Sequence, residues 1–172
     1  MYPPTSARDP MNECFRRVLL VGPERPDEFA SAMRLMRRAH RVVAVNPRAT
    51  RAAKAFERTG GTFVRARVEQ LATSCGRFDL ILENYPYPSG GDYVPPRPFA
   101  LARLSRLAVC GQWIVFTEAV RFATLLRAVV EHDLDLQHRF RVSLNPVATT
   151  AAPPSYYPRM DSRFRLVFQR VG

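Results

Sequence analysis

The sequence predicts an α/β protein: a doubly wound, mostly parallel seven-stranded sheet that ends in an antiparallel C-terminal hairpin. Three observations predict it. Short apolar runs alternate with helical segments five times along the chain. The first runs are unbroken, as strands buried on both faces are. The last two runs, Phe140 to Leu144 and Phe164 to Phe168, follow one another without an intervening helix, as antiparallel neighbours do.

The elements follow in order. RRVLLVG, Arg16 to Gly22, is the first strand and stops at Gly22-Pro23, a turn signal. Pro26-Asp27-Glu28 opens a helix, because proline and acids suit a first turn. RVVAV, Arg41 to Val45, is the second strand and breaks at Asn46-Pro47. Thr50 to Arg58 is helical and ends at Gly60-Gly61, where a C′ glycine belongs. Thr62 to Ala66 is the third strand, and Val68 to Thr73 a short helical turn. Phe78 to Leu82 is the fourth strand. Phe99 to Val109 reads as a helix with Phe99, Leu101, Leu104 and Leu107 on its apolar side and Arg103 and Arg106 in solvent. Cys110-Gly111 caps it, and Gln112 to Thr117 is the fifth strand. Arg121 to His132 is the last helix. Between the final strands, NPVATTAAPPSYYPRMDS is a proline-rich connection long enough to be functional or disordered.

The stretch with most chemical content is Arg77 to Pro88, RFDLILENYPYP. Its apolar strand gives way at once to Glu83, Asn84, Tyr85, Pro86 and Tyr87. Proline fixes φ and restricts the residue before it, so this loop can hold an amide and an aromatic ring in place. The carboxyl edge of an open α/β sheet is where ligands bind.

With 172 residues, 47% hydrophobic, the chain suffices for one core but not two. Residues 16–172 are expected to form that domain and residues 1–15 a flexible arm. The arm lacks a signal-peptide pattern, and no apolar run approaches a membrane span. The net charge is +11, which favours polyanions. Lys54 is the only lysine, and the arginines are spread along the chain rather than gathered in one block. Cys14, Cys75 and Cys110 form no metal or disulfide pattern, and Cys14 and Cys110 are expected to be buried. His40, His132 and His138 make no ligand set, so no metal site is expected. A hydrolase elbow and a phosphate loop are both missing, and no GxGxxG follows the first strand. Glu118 lies where it could pair with Glu83 across the sheet edge.

Taken together, RVLLVG, RVVAVNP, FVRARVEQL, FDLILENYPY and LARLSRLAVCGQWIVFTE resemble, in this order, the class I S-adenosylmethionine-dependent methyltransferases. The resemblance spans about Arg16 to Arg170 and implies a Rossmann-like methyltransferase fold with S-adenosylmethionine as cofactor. Gly22, Pro23 and Glu24 would then line the amino-acid end of the cofactor, Asn46 its ribose, and Arg67, Val68 and Glu69 its base, with Glu83 nearby. Asn84, Tyr85, Pro86 and Tyr87 resemble the amide-proline-aromatic signature of amino-group methyltransferases and would orient a planar nitrogen acceptor, nucleic acid or protein. The sequence departs from the family at several points. One glycine stands in the first turn, Asn46 replaces an acid, Arg67 stands where an acid is usual, and Tyr85 replaces a proline. These departures frame a second expectation: a methyltransferase fold without cofactor, acting as a binding or scaffolding module. On either expectation the chain's place is the cytoplasm, or a larger secreted effector or toxin polypeptide.

Overall fold

The computed structural model describes residues 15–23, 39–48, 51–85, 96–117, 120–146 and 164–172. The expected helix after Pro26, the prolines of the NYPYP loop, Glu24, Tyr87, Glu118, Cys14 and most of the 145–162 connection lie outside them. Seven strands form one sheet: β1 (Phe15–Val21), β2 (Ala39–Val45), β3 (Thr62–Val64), β4 (Phe78–Tyr85), β5 (Leu107–Thr117), β6 (Phe140–Pro146) and β7 (Phe164–Arg170). Among the described residues four helices accompany it: α1 (Arg51–Arg58), α2 (Pro96–Leu104), α3 (Val120–Glu131) and α4 (Leu134–Arg139). Two 3-10 turns, Val68–Gln70 and Thr73–Cys75, link β3 to β4.

The strand order is β3-β2-β1-β4-β5-β7-β6. The first five strands pair in parallel, and β7 pairs antiparallel with both β5 and β6. The sheet is therefore the mixed, doubly wound one expected. Alternation along the strands divides the core in two. Leu19, Val43, Ile81, Trp113 and Phe168 face a layer that includes Phe99 and Leu104 of α2 and Leu126 of α3. Val18, Leu20, Leu82 and Ile114 share the other side with Ala53 and Phe56 of α1. Burying such side chains on both faces is the main favourable term for a sheet of this kind.

Three expectations need correction. The helix expected over Phe99 to Val109 ends at Leu104, and β5 begins at Leu107. Sheet pairing overrides helical propensity here: Leu107 is the register partner of Phe78, and the register then slips so that Leu80 faces Gln112. The slip is a bulge in which Cys110 has φ +63°. Cys110 is therefore exposed rather than a core residue. Gly111 beside it is buried, and a Cβ there would lie 2.9 Å from the carbonyl oxygens of both Ala108 and Phe78. The third correction concerns the faces of α2: Leu101 is exposed, whereas Arg103 is buried. A short helix that periodicity did not announce, α4, is capped by Asp133, whose carboxylate accepts the Leu136 N–H at 3.1 Å.

Candidate functional site

Register places the ends of the parallel strands on one rim. Val21 is opposite both Val45 and Glu83, and Glu83 is opposite Val115. The chain thus leaves β1 at Gly22, β2 at Asn46 and β4 at Tyr85 along the same edge. Connections from β1 run outward to β2 and β3, then return to β4 on the other side of β1. The gap between the ends of β1 and β4 is the switch point at which open α/β sheets bind ligands. Gly22 and Asn84 flank it, one strand spacing or about 4.8 Å apart in the pairing direction.

Gly22 has φ +72°, and its N–H donates to the Val45 carbonyl at 2.8 Å. A Cβ there would meet nothing within 4 Å. Conformation, not crowding by any described residue, accounts for this glycine. The carbonyl of the buried Pro23 accepts the Asn46 side-chain N–H at 3.1 Å. Asn46 Oδ1 in turn accepts the Arg48 N–H at 2.8 Å, and the Asn46 backbone N–H donates to Val64 at 3.2 Å. Asn46 is 3% exposed. One buried amide therefore ties the turn after β1 to the ends of β2 and β3.

Glu83 is buried one residue before Asn84. Its carboxylate takes a two-pronged ion pair from Arg103, Nε to Oε2 at 2.7 Å and Nη2 to Oε1 at 2.8 Å. The Trp113 indole N–H adds a third bond at 3.1 Å. Arg103 is 4% exposed and reaches further. Its Nη1 donates to Glu69 at 2.7 Å and to the Phe99 carbonyl at 3.2 Å, while its guanidinium carbon lies 3.5 Å from the Phe99 ring centroid. A planar cation with several donors is what such a site requires. Burial works against its charge and is the largest single influence, yet the two carboxylates outweigh burial and raise the Arg103 pKa. Burial also opposes ionisation of Glu69; its own backbone hydrogen bond and the Arg103 charge outweigh that and hold its carboxyl below the ordinary 4.5.

The sequence-predicted residues thus fall into two groups. Gly22, Pro23, Asn46, Glu83, Asn84 and Tyr85 share the rim. Arg67, Val68 and Glu69 lie in the turn after β3. There Arg67 is exposed with its N–H donating to Gln70 at 3.0 Å, Val68 is core, and Glu69 joins the ion pair. Glu24, Pro86 and Tyr87 lie outside the described residues. Arg103 and Trp113 were missed. The expected solvent placement is overturned for Arg103, which is buried; Arg106 is half-buried and donates to the carbonyls of Leu71 and Ala72. A signal existed, because Arg103 stands four residues after Phe99, on the apolar stripe of α2.

Sheet order, antiparallel β7 and the switch point between β1 and β4 together define the class I S-adenosylmethionine-dependent methyltransferase fold, as the resemblance implied. Solved structures agree. The N-methyltransferase NodS from Bradyrhizobium japonicum WM9 superposes with TM-score 0.66 at 14% identity, covering 95% of this chain and 90% of its own. An rRNA methylase from Streptococcus thermophilus gives 0.63 at 15% identity, covering 94% and 93%. The plantazolicin methyltransferase BpumL, solved with S-adenosylhomocysteine, gives 0.62 at 8%, covering 92% and 77%. No family model matches the chain, and no curated protein sequence matches it. Among the described residues no helix is long and apolar enough to cross a membrane.

Proposed function

We propose that this chain transfers a methyl group from S-adenosylmethionine to a nitrogen of a planar acceptor. The observation that carries the reading is the placement of Gly22 and Asn84 on either side of the switch point, with Asn46 next along the same rim. The left-handed Gly22 turn would face the amino-acid end of the cofactor. Asn46 suits the ribose with one acceptor, since an amide oxygen has two lone pairs and Arg48 uses one. Bound there, the cofactor supplies an electrophilic methyl group on a sulfonium. Asn84 would accept a hydrogen bond from the acceptor N–H and so aim the nitrogen lone pair, while Tyr85, Pro86 and Tyr87 shape the seat of the planar ring. Such a reaction depends mainly on placing two reactants in line. Neighbouring structures include an N-methyltransferase and an rRNA methylase, which supports a nitrogen acceptor and leaves room for nucleic acid.

One observation favours the second reading, a binding module without cofactor. The Asn46 amide is engaged on both sides within the protein, whereas the family places a free acid at that point. Calorimetry with S-adenosylhomocysteine separates the two. Saturable binding at or below millimolar ligand supports methyl transfer; no heat at that concentration removes it. Asn84→Ala should then keep S-adenosylhomocysteine affinity within about twofold while lowering labelled-methyl transfer by about 100-fold.

A further inference from the structure

The rim opposite the switch point carries an unexpected regularity. Every strand except β3 meets it with an arginine: Arg17 on β1, Arg41 on β2, Arg77 before β4, Arg106 before β5, Arg170 at the end of the antiparallel β7, and Arg139 before β6. Arginines scattered in sequence are therefore collected in space. Arg17 and Arg41 are register partners, as are Phe140 and Arg170. Arg170 donates to the Leu107 carbonyl at 2.8 Å, which fixes it beside the start of β5. Burial, then the charges of Arg77 and Arg139, lower the Arg170 pKa, so these cations feel one another.

Counter-charge is scarce there. Asp79 accepts the backbone N–H groups of Arg16 and Arg17 at 3.0 and 2.8 Å. Asp133 is paired with Arg97, and Glu131 with Arg127. Arg17, Arg106 and Arg170 spend donors on backbone carbonyls, whereas the exposed Arg41, Arg77 and Arg139 form no ion pair with any described residue. The ridge runs from β2 to β6, five strand spacings or about 24 Å. That matches about seven base pairs of duplex rise.

We propose that this arginine rim binds the phosphate backbone of a nucleic acid. The guanidinium fork suits phosphate oxygens. An anionic membrane suits the rim less well, because a membrane-surface element needs an exposed apolar face beside its cations. Here Val18, Phe78, Leu107 and Phe140, the apolar residues behind the arginines, are buried, and the exposed Val109 and Val171 stand singly on separate segments. The rim stands one strand length from the switch point, about 23 Å for seven residues. Nucleic acid held there leaves the opposite edge open, and the inference does not depend on methyl transfer.

Fluorescence anisotropy with a labelled 20-nucleotide single-stranded RNA tests it, with duplex DNA of equal length and phosphatidylserine vesicles alongside. Binding of RNA, DNA or both should weaken with salt, log K falling against log salt with a slope of about −2 to −3 for three or four phosphates on a single strand. Arg41→Ala/Arg77→Ala/Arg139→Ala should raise Kd by about tenfold or more and flatten that slope by about two. Arg51→Ala/Lys54→Ala/Arg121→Ala, a charge-matched variant at exposed positions on other surfaces, should stay within about twofold. The single variants, each at an exposed position, keep the test valid if the triple variant unfolds. A loss that follows the charge-matched variant, an equal loss in both, no loss in either, or binding to vesicles without nucleic acid overturns the proposal.

Discussion

Arg103 shows how far one side chain can organise a site. Its guanidinium links the residue before Asn84 to the turn after β3 through two carboxylates. Arg103→Met should destabilise the protein by about 3–5 kcal/mol in urea unfolding, because it strands Glu83 as an uncompensated buried charge. Arg103→Lys should fall between that variant and wild type, since one ammonium cannot reproduce the fork. Glu69 gives a pH signature. Its pKa is lower folded than unfolded, so its contribution is complete above the ordinary 4.5 and is lost as pH falls through the depressed value. Glu69→Gln should therefore flatten the stability profile below about pH 4.5, measured by urea midpoints across pH. The place of Arg103 on the apolar stripe hinted at its burial, but its pairing with Glu83 was not legible in the chain. Arg103 reads as solvated because arginine usually is, and Glu83 as a rim ligand because it follows an apolar run. Only the packing of α2 on β4 and β5 makes them partners.

The strands were largely legible as elements, because buried parallel strands are written as unbroken apolar runs. The join between α2 and β5 was not, because LAVCG supports either a helix end or a bulged strand. Pairing with Phe78 decides for the strand. The bulge predicts opposite outcomes for adjacent residues. Cys110→Gly should raise stability by about 0.5–1 kcal/mol, since the residue is exposed and its φ is left-handed. Gly111→Ala should cost about 1–3 kcal/mol, because its Cβ would press on two backbone carbonyls. Thermal or urea unfolding of the two variants checks both signs.

At the scale of the molecule, the order of elements was enough to foresee the sheet, its seven strands and the convergence of Gly22, Asn46 and Asn84 on one edge. What that edge does with its side chains was less accessible. Asn46 looks like a ribose reader in sequence and is also a brace between turns in the structure. The clustering of arginines on the far edge was hidden, since they are separated in sequence by whole strand-helix units.

The position of β7 between β5 and β6 has a consequence for how the protein is made. Of the seven strands, the one that fills this gap is the last to be translated. Until residues 164–170 emerge from the ribosome, β5 presents Trp113, Ile114 and Val115 on a strand with an open side. A nascent chain at that stage offers the kind of unpaired margin that chaperones shield. Ribosome-stalled chains ending near residue 163 should thus be far more protease-sensitive over 107–117 than chains stalled after the C-terminal strand has cleared the exit tunnel.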